Sequence, residues 1–284
     1  MSKASQTPTR LPRNFHKTFI PERQYIHAML RYAASGKAGD YQEISAVTGI
    51  PTGVSSGKVP AILDYCRGMG LVRLAGGEQP GIKRPELTPF GRIVLLEDPY
   101  LKERVTQWIA HFNLCGPLMG ADVWYYAFFD GTQALGMSFP REKLAEYLAL
   151  VYSTQQSGLI GPLVRMYEDE ASFKNCGVLS SDNNDIISRQ QAPTADEFGF
   201  AYGAWMLQLM DEHFPKVGQV TVTELDAKAG WRTIPGWDIS NVQRVLYLIE
   251  RKGIIEVDRH MDPWILRRKA TAEEMWCRIY NDLI

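Results

Sequence analysis

Gly53-Val54-Ser55-Ser56-Gly57-Lys58 comes nearest to a chemical motif, because glycines ahead of a lysine are what a backbone cradle for phosphate requires. The spacing fails. A phosphate loop places a glycine five positions before its Gly-Lys pair and a hydroxyl after the lysine, and Thr52 and Val59 stand there instead. The five histidines, His16, His27, His111, His213 and His260, have no partner at i,i+4 and no cysteine at metal-ligand spacing, so no metal site is expected. His111, between Trp108 and Phe112 on an apolar helix, reads as a hydrogen-bonded core residue rather than a general base. Glu168, Asp169 and Glu170 are adjacent carboxylates, but neighbours on a helix point about 100° apart and do not converge on one ion. They read as a solvated face. Cys66, Cys115, Cys176 and Cys277 are too dispersed for a zinc site or a redox dithiol and read as buried thiols. The aromatic run from Trp124 to Phe129 suits a base-stacking platform in composition, yet a helix apolar nearly all round is ordinarily core. No nucleophile, base and orienting residue assemble from the sequence, so a non-enzymatic protein without a cofactor is expected.

What remains is binding, and composition limits its form. The chain has 284 residues with 45% hydrophobic content, enough for a sizeable core and about two domains by length. Its 31 basic and 32 acidic residues nearly cancel, which excludes a polybasic protein that binds nucleic acid by total charge. Any DNA contact must be a local patch. No apolar run approaches the ~20 residues that cross a bilayer, and no apolar leader stands at the N-terminus, so a cytoplasmic protein without membrane contact is expected.

The elements that would carry such a patch follow from periodicity. Residues 1–22 read as a flexible basic tail, its first fourteen residues rich in Ser, Thr, Pro and basic side chains. From Arg23, the spacing of Tyr25, Ile26, Met29, Leu30 and Ala33 predicts a helix ending at Ser35-Gly36. Asp40 with Glu43 predicts a capping box opening a helix over Tyr41 to Thr48. Ser55 or Ser56 is expected to cap a third helix burying Val59, Ile62, Leu63, Cys66 and Met69. Pro60 falls in its first turn, where the missing donor costs little. A strand at Leu71 to Leu74, a Gly/Pro/basic loop from Gly76 to Pro85 and a return at Leu87-Thr88 complete a hairpin. Three helices and a hairpin make a winged helix.

The same order returns in Phe200 to Phe214, Thr223 to Ala229 and Ser240 to Lys252, followed by strands at Ile254 to Val257 and Trp264 to Arg267 with a tip at Arg259 to Pro263. A weaker copy lies between, with helices at Val123 to Phe129, Arg141 to Tyr152 and Leu159 to Asn175. Gly70-Leu71-Val72, Gly177-Val178-Leu179 and Gly253-Ile254-Ile255 close the three copies alike. The expected fold is therefore mainly α, with tandem winged-helix-like units around a helical centre. Its divisions are residues 23–98, 99–195 and 196–284 after the tail. Trp108, Phe112 and Trp124 belong either to a central core joining the outer units or to an exposed docking surface.

Several separated phrases carry a family resemblance: Phe15-His16-Lys17-Thr18-Phe19, Leu87-Thr88-Pro89-Phe90-Gly91, Asp98-Pro99-Tyr100-Leu101, Trp124-Tyr125-Tyr126-Ala127-Phe128-Phe129 and Phe139-Pro140-Arg141-Glu142-Lys143-Leu144. With them the chain resembles the DUF4007 family over nearly its whole length. It departs from the family's Gly-His-Glu-Thr-Phe opening at Phe15 and Lys17, which replace the first Gly and the Glu. The resemblance implies a bacterial protein often encoded beside DNA phosphorothioation genes, among them enzymes similar to phosphoadenylylsulfate (PAPS) reductases, in systems that mark DNA and resist phage.

In a winged helix the start of the third helix meets base edges and the wing meets phosphates, so position nominates residues. In the first unit these are Ser55, Ser56 and Lys58 on the helix with Lys83 and Arg84 on the wing; in the last they are Ser240, Asn241 and Arg244 with Arg259, Arg267 and Arg268 around the hairpin. Asn and Arg suit adenine and guanine readout, and wing cations neutralise phosphate. The expected partners are double-stranded DNA and other proteins of a modification or defence complex, with a PAPS-reductase-like enzyme among the candidates. Three roles stay open: a DNA-binding accessory subunit, an adaptor that holds the modification enzymes together, and a transcriptional regulator of the locus.

Overall fold

The computed structural model describes residues 9–53, 57–76, 79–153 and 158–283. About half of the chain is helical and the rest includes three small antiparallel sheets. In the first third, α1 (Arg23–Ala34), α2 (Tyr41–Thr48) and α3 (Lys58–Gly68) precede β1 (Val72–Leu74) and β2 (Pro85–Leu87), and α4 (Pro89–Glu97) follows. The start of α2 is fixed by the Asp40 carboxylate, which accepts the amides of Gln42 and Glu43 at 2.8 and 2.9 Å, while Glu43 accepts the amide of Asp40 at 2.8 Å. These satisfy amides that have no acceptor within the helix. Thr88 does the same for α4, accepting from Gly91 at 2.9 Å with Pro89 in the first turn.

Next come α5 (Arg104–Leu114), α6 (Asp122–Tyr125), a π-helical turn (Tyr126–Asp130), α7 (Thr132–Leu135), β3 (Ser138–Pro140), α8 (Arg141–Tyr152) and α9 (Ile160–Glu168). A 3-10 turn (Lys174–Cys176), β4 (Leu179–Ser181) and β5 (Ile186–Arg189) end the middle third. The last third holds α10 (Gly199–His213), β6 (Gln219–Thr221), α11 (Val222–Ala229), α12 (Ile239–Arg251), β7 (Ile255–Asp258), β8 (Ile265–Arg268) and α13 (Ala272–Trp276).

One connectivity recurs three times. β6 precedes two helices and a hairpin, then pairs antiparallel with the second hairpin strand, giving the order β6-β8-β7. β3 does the same in the sheet β3-β5-β4. In the first third a single antiparallel bridge from Gly39, just ahead of α2, to Lys83, just ahead of β2, stands where the extra strand would be. Gly70, Gly177 and Gly253 turn a helical segment into each hairpin with φ of 71, 69 and 71°. A residue with a Cβ is disfavoured there by roughly 1–2 kcal/mol, which is why glycine recurs at this point.

α5 unites the three cores. Residues from Val105 to Phe112, and Leu114, are all buried, and the helix packs against α3, α10 and the 3-10 turn of the middle third. Gln107 accepts the amide of Cys176 at 2.9 Å and donates to the carbonyl of Leu101 at 2.7 Å, and Thr106 meets the hydroxyl of Tyr280 at 2.7 Å, while the buried indole N–H of Trp108 has no acceptor among the described residues. Trp108, Phe112 and Trp124 are at most 1% exposed, so they are core and not a docking surface. Among the described residues no helix is long and apolar enough to cross a membrane.

Several expectations need correction. The N-terminal segment is not a flexible tail as far as residue 22, because from Arg10 the chain is packed. Leu11, Phe15, His16 and Ile20 are buried, and Leu11 is held by main-chain hydrogen bonds to Gly120 (2.8 Å) and Asp122 (3.0 Å). The Arg10 guanidinium lies 3.9 Å over the Tyr125 ring and 2.8 Å from the Asp122 carboxylate, and Arg13 lies 5.0 Å over Tyr152. The single helix from Leu159 to Asn175 is interrupted. Asp169 is extended (φ −86, ψ 128), and its carboxylate accepts the amide of Ala171 at 2.9 Å, a turn that competes with the helix. The aromatic run is not wholly core: Trp124, Ala127 and Phe128 are buried, but Tyr125, Tyr126 and Phe129 are half-buried where the helix widens. Three cysteines are buried and Cys277 is exposed.

Candidate nucleic-acid interface

In the last third, the Asp238 carboxylate starts α12 by accepting the amide of Asn241 at 2.8 Å. Val242, Val245, Leu246, Leu248 and Ile249 face the core, and Ile239, Ser240, Gln243, Arg244 and Tyr247 are exposed. Ser240 and Arg244 are thus displayed as position predicts. Asn241 is half-buried and donates to the side chain of Gln191 at 3.1 Å.

The hairpin cations are engaged within the protein. Arg259 reaches Glu250 at 2.9 Å, and Arg267 reaches Glu256 at 3.2 Å and Asp258 at 3.0 Å. Arg268 pairs with Asp211, and Lys269 with Glu256 at 2.6 Å. The register puts Glu256 opposite Arg267, so acid and base alternate across the hairpin instead of forming a one-signed patch. Large exposed apolar side chains also occur here: Ile239 (70%) and Tyr247 (58%) on α12, and Met261 (71%) in the loop between β7 and β8. Sequence reasoning did not single them out, although Tyr247 and Ile239 are visible as apolar residues off the buried stripe of α12.

In the first third, Ser55 and Ser56 lie outside the described residues, and α3 starts at Lys58 after Gly57. Lys58 does not face outward as a reader. Its ammonium is 2.7 Å from the Glu22 carboxylate and lies 4.6 and 5.4 Å from the ring centres of Tyr25 and Phe19. The hairpin loop keeps its basic character. Lys83 exchanges both main-chain hydrogen bonds with Gly39, at 3.0 and 2.8 Å, which fastens the loop against the α1–α2 connection carrying Lys37. Lys37 and Arg84 are exposed and Lys83 is half-buried. The bridge sets the segment carrying Lys37 beside the one carrying Lys83 and Arg84.

The buried titratable groups are structural in their contacts. His111 is 1% exposed and meets the Tyr167 hydroxyl at 2.7 Å, which also accepts the indole N–H of Trp124 at 3.1 Å. Burial, and secondarily the nearby Arg189 charge, press the His111 pKa down to about 3. Cys115 lies 3.5 Å from His111, but burial holds its thiol well above the usual range, opposite to what a nucleophile needs. Glu168, Asp169 and Glu170 take separate partners in Ser181, Ala171 and Lys174. Among the described residues no three His, Cys, Asp or Glu side chains converge as a metal site.

A sequence profile described as "Protein of unknown function (DUF4007)" matches residues 14–161, just over half of the chain. The chain belongs to the DUF4007 family. The match ends at residue 161, short of the nearly full-length resemblance the motifs suggested. Within it, two of the DUF4007 phrases serve helix starts: Thr88 caps α4, and the buried Asp98 carboxylate accepts the amides of Lys102 (2.8 Å) and Glu103 (3.0 Å) ahead of α5. No curated protein matches the sequence. Two solved structures share the fold. "Magnesium ion-bound SspB crystal structure" has a TM-score of 0.70 at 15% identity, covering 95% of this chain and 88% of that one. "SspB crystal structure" has a TM-score of 0.68 at 15% identity, covering 98% and 90%. At this identity the likeness is one of fold.

Proposed function

We propose that this protein is a non-catalytic accessory component of a bacterial DNA-modification defence system of the phosphorothioation type, built from three winged-helix units. The first unit faces double-stranded DNA and the last faces a protein partner. The thrice-repeated connectivity carries this reading: a strand or bridge, two helices, and a hairpin whose second strand pairs back to the start. That is the chain order of a winged helix, with the wing in the hairpin loop.

The two ends differ in chemistry. The Gly39–Lys83 bridge sets Lys37 and Lys83 on adjoining segments at one edge of the first unit, which suits phosphate contact, with Arg84, itself engaged in an interaction within the protein, next in the chain. In the last unit the cations nominated for DNA are answered by Glu250, Glu256, Asp258 and Asp211, and each would have to leave its carboxylate before gaining a phosphate. Exposed Ile239, Tyr247 and Met261 match the aromatic and Met enrichment of protein interfaces better than a DNA surface. Arg244 and Ser240 then belong to that partner surface.

The test is titration of labelled duplex, with and without phosphorothioate linkages, over a salt series. The triple substitution Lys37→Glu, Lys83→Glu, Arg84→Glu is expected to weaken binding and flatten the salt slope by roughly 0.9 for each phosphate that is no longer neutralised. Arg259→Glu with Arg267→Glu is expected to leave both unchanged. Equal binding by wild type and the first triple variant would sink the DNA assignment. A stable complex with a modification enzyme in the absence of DNA would instead favour the adaptor role, since the partner surface alone would then suffice.

A further inference from the structure

A pocket of about 370 Å³ lies in the first third, between the C-terminal halves of α1 and α2 and the connection that joins them. Gly36 (φ 68°) turns the chain after α1, Gly49 (φ 71°) ends α2, and the Gly39–Lys83 bridge fastens the connection. These turns bring Lys37 into the same pocket as His27 and Arg31, which stand one helical turn apart on α1. Ser35 and Thr48 also line it, but their hydroxyls are spent on the carbonyls of Tyr32 and Ile44, both at 2.7 Å.

Unanswered positive charge sets this pocket apart. Other surface cations meet carboxylates, as Arg67 does with Asp64, Arg73 with Glu86 and Arg267 with Glu256 and Asp258. Arg31 and Lys37 are exposed and have no carboxylate partner among the described residues, and no Asp or Glu lines the pocket. Asp40 and Glu43 are felt at Tyr32, whose pKa is raised by burial first and then by these two acids, but both are held by main-chain amides of the α2 capping box. Two helix C-termini contribute about half a negative charge each, which the two full charges of Arg31 and Lys37 outweigh.

His27 is oriented from outside the pocket. Its Nδ1 lies 3.0 Å from the carbonyl of Pro99, which can only accept, so Nδ1 carries the proton and Nε2 is the nitrogen left over. The Tyr100 ring packs on the imidazole with centres 4.4 Å apart. The Asp98-Pro99-Tyr100-Leu101 phrase of the DUF4007 family thus positions His27 as well as starting α5. The pocket is larger than a bare phosphate needs, and Ala28 and Val47 add an apolar wall, as suits a sugar attached to the anion.

We infer that this pocket binds a phosphate ester, its phosphate clamped between the Arg31 guanidinium and the Lys37 ammonium, with His27 at its edge. The ester has two sources: a free sugar phosphate, or a DNA strand passing the adjoining Lys37–Lys83 edge. Only the second source rests on the DNA-facing reading.

Titration of the full-length protein with ribose 5-phosphate, followed by the imidazole signals in NMR spectra and by calorimetry, tests this, with ribose as control. Ribose 5-phosphate is expected to bind with a Kd of about 1 mM or below, as two charge-assisted hydrogen bonds allow, and ribose not to bind. Arg31→Ala should weaken it about tenfold, and Arg165→Ala, an exposed arginine on α9, should leave it unchanged. Val47→Glu, which sets a carboxylate at the pocket wall on an exposed position, should abolish it. Weaker duplex binding by Arg31→Ala would assign the ester to a DNA strand. Duplex binding indifferent to Arg31→Ala, beside intact ribose 5-phosphate binding, would assign it to a free sugar phosphate. A protein that binds ribose 5-phosphate but no duplex would lose the DNA-facing reading and keep this site. No ribose 5-phosphate binding at tens of millimolar together with duplex binding unchanged by Arg31→Ala overturns the inference, as does ribose 5-phosphate binding indifferent to both Arg31→Ala and Val47→Glu.

Discussion

Arg189 closes β5 with its guanidinium inside the protein, 7% exposed, and donates to main-chain carbonyls rather than to a carboxylate. It reaches Ala127 at 2.7 Å, Gly136 at 3.1 Å and Thr132 at 3.4 Å, between the rings of Phe128 and Phe139. These carbonyls belong to the π-helical turn and the segment through α7, so the cation holds together the place where the helical ladder is widened. Arg189→Met keeps the apolar stem and removes every donor. The carbonyls of Ala127 and Gly136 would lose their guanidinium donors at about 1–3 kcal/mol each, while that of Thr132 keeps the amide of Gly136. Removing a buried cation whose pKa burial has lowered to about 10 returns several kcal/mol. The net is a loss of about 1–3 kcal/mol, or roughly 2–9 °C in Tm. Arg189→Lys should recover about half, because an ammonium cannot span the fork. Urea unfolding followed by far-ultraviolet circular dichroism measures this. A methionine variant within about 0.5 kcal/mol of wild type would refute the claim that the guanidinium organises the π-helical turn.

Acid should destabilise the fold early. Burial depresses His16 to about 4 and His111 to about 3, against about 6.5 when unfolded. Below pH 6.5 the unfolded chain therefore binds protons that the folded one refuses. This stability is full above pH 6.5 and falls by roughly 2 kcal/mol for each histidine by pH 5, so urea midpoints that stay level from pH 7 to 5 would contradict it. Lys58→Met should lower stability by about 1 kcal/mol through the half-buried Glu22 pair and leave duplex binding alone; a large loss of DNA affinity would return Lys58 to the interface. Leu11→Ala should cost about 2–4 kcal/mol and open residues 9–20 to proteases, and resistance equal to wild type would mean that the segment is not anchored there. Iodoacetamide should modify Cys277 first, because burial shields Cys66, Cys115 and Cys176 and pushes Cys176 up to about 12; mass spectrometry locates the label.

Elements whose stops and starts are chemical were legible. The Asp40 and Glu43 capping box gave α2 its bounds, and the apolar stripe and closing glycine of α12 placed it to within a residue. β3 and β6 were missed because three residues are too few to show alternation, and they form only because a hairpin strand is already there to accept them. The docking of the N-terminal segment was hidden for another reason. Leu11 and Phe15 are isolated apolar residues in polar surroundings, and their burial depends on a groove built from Gly68, Leu114, Tyr65 and Trp124, all distant in sequence. The cations of the last hairpin were found by position, but their neutralisation needed the cross-strand register that sets Glu256 against Arg267.

A helix shared by three cores also fixes geometry. Because α5 packs against α3, the middle third and α10 alike, none of the outer units can swivel without breaking a common interior. The surfaces at the two ends are therefore held at a set distance and angle, as the jaws of a gauge are. A protein seated on α12 would meet DNA held at Lys83 at a fixed offset, and the spacing between bound partner and duplex would be a constant of the molecule rather than an outcome of linker length.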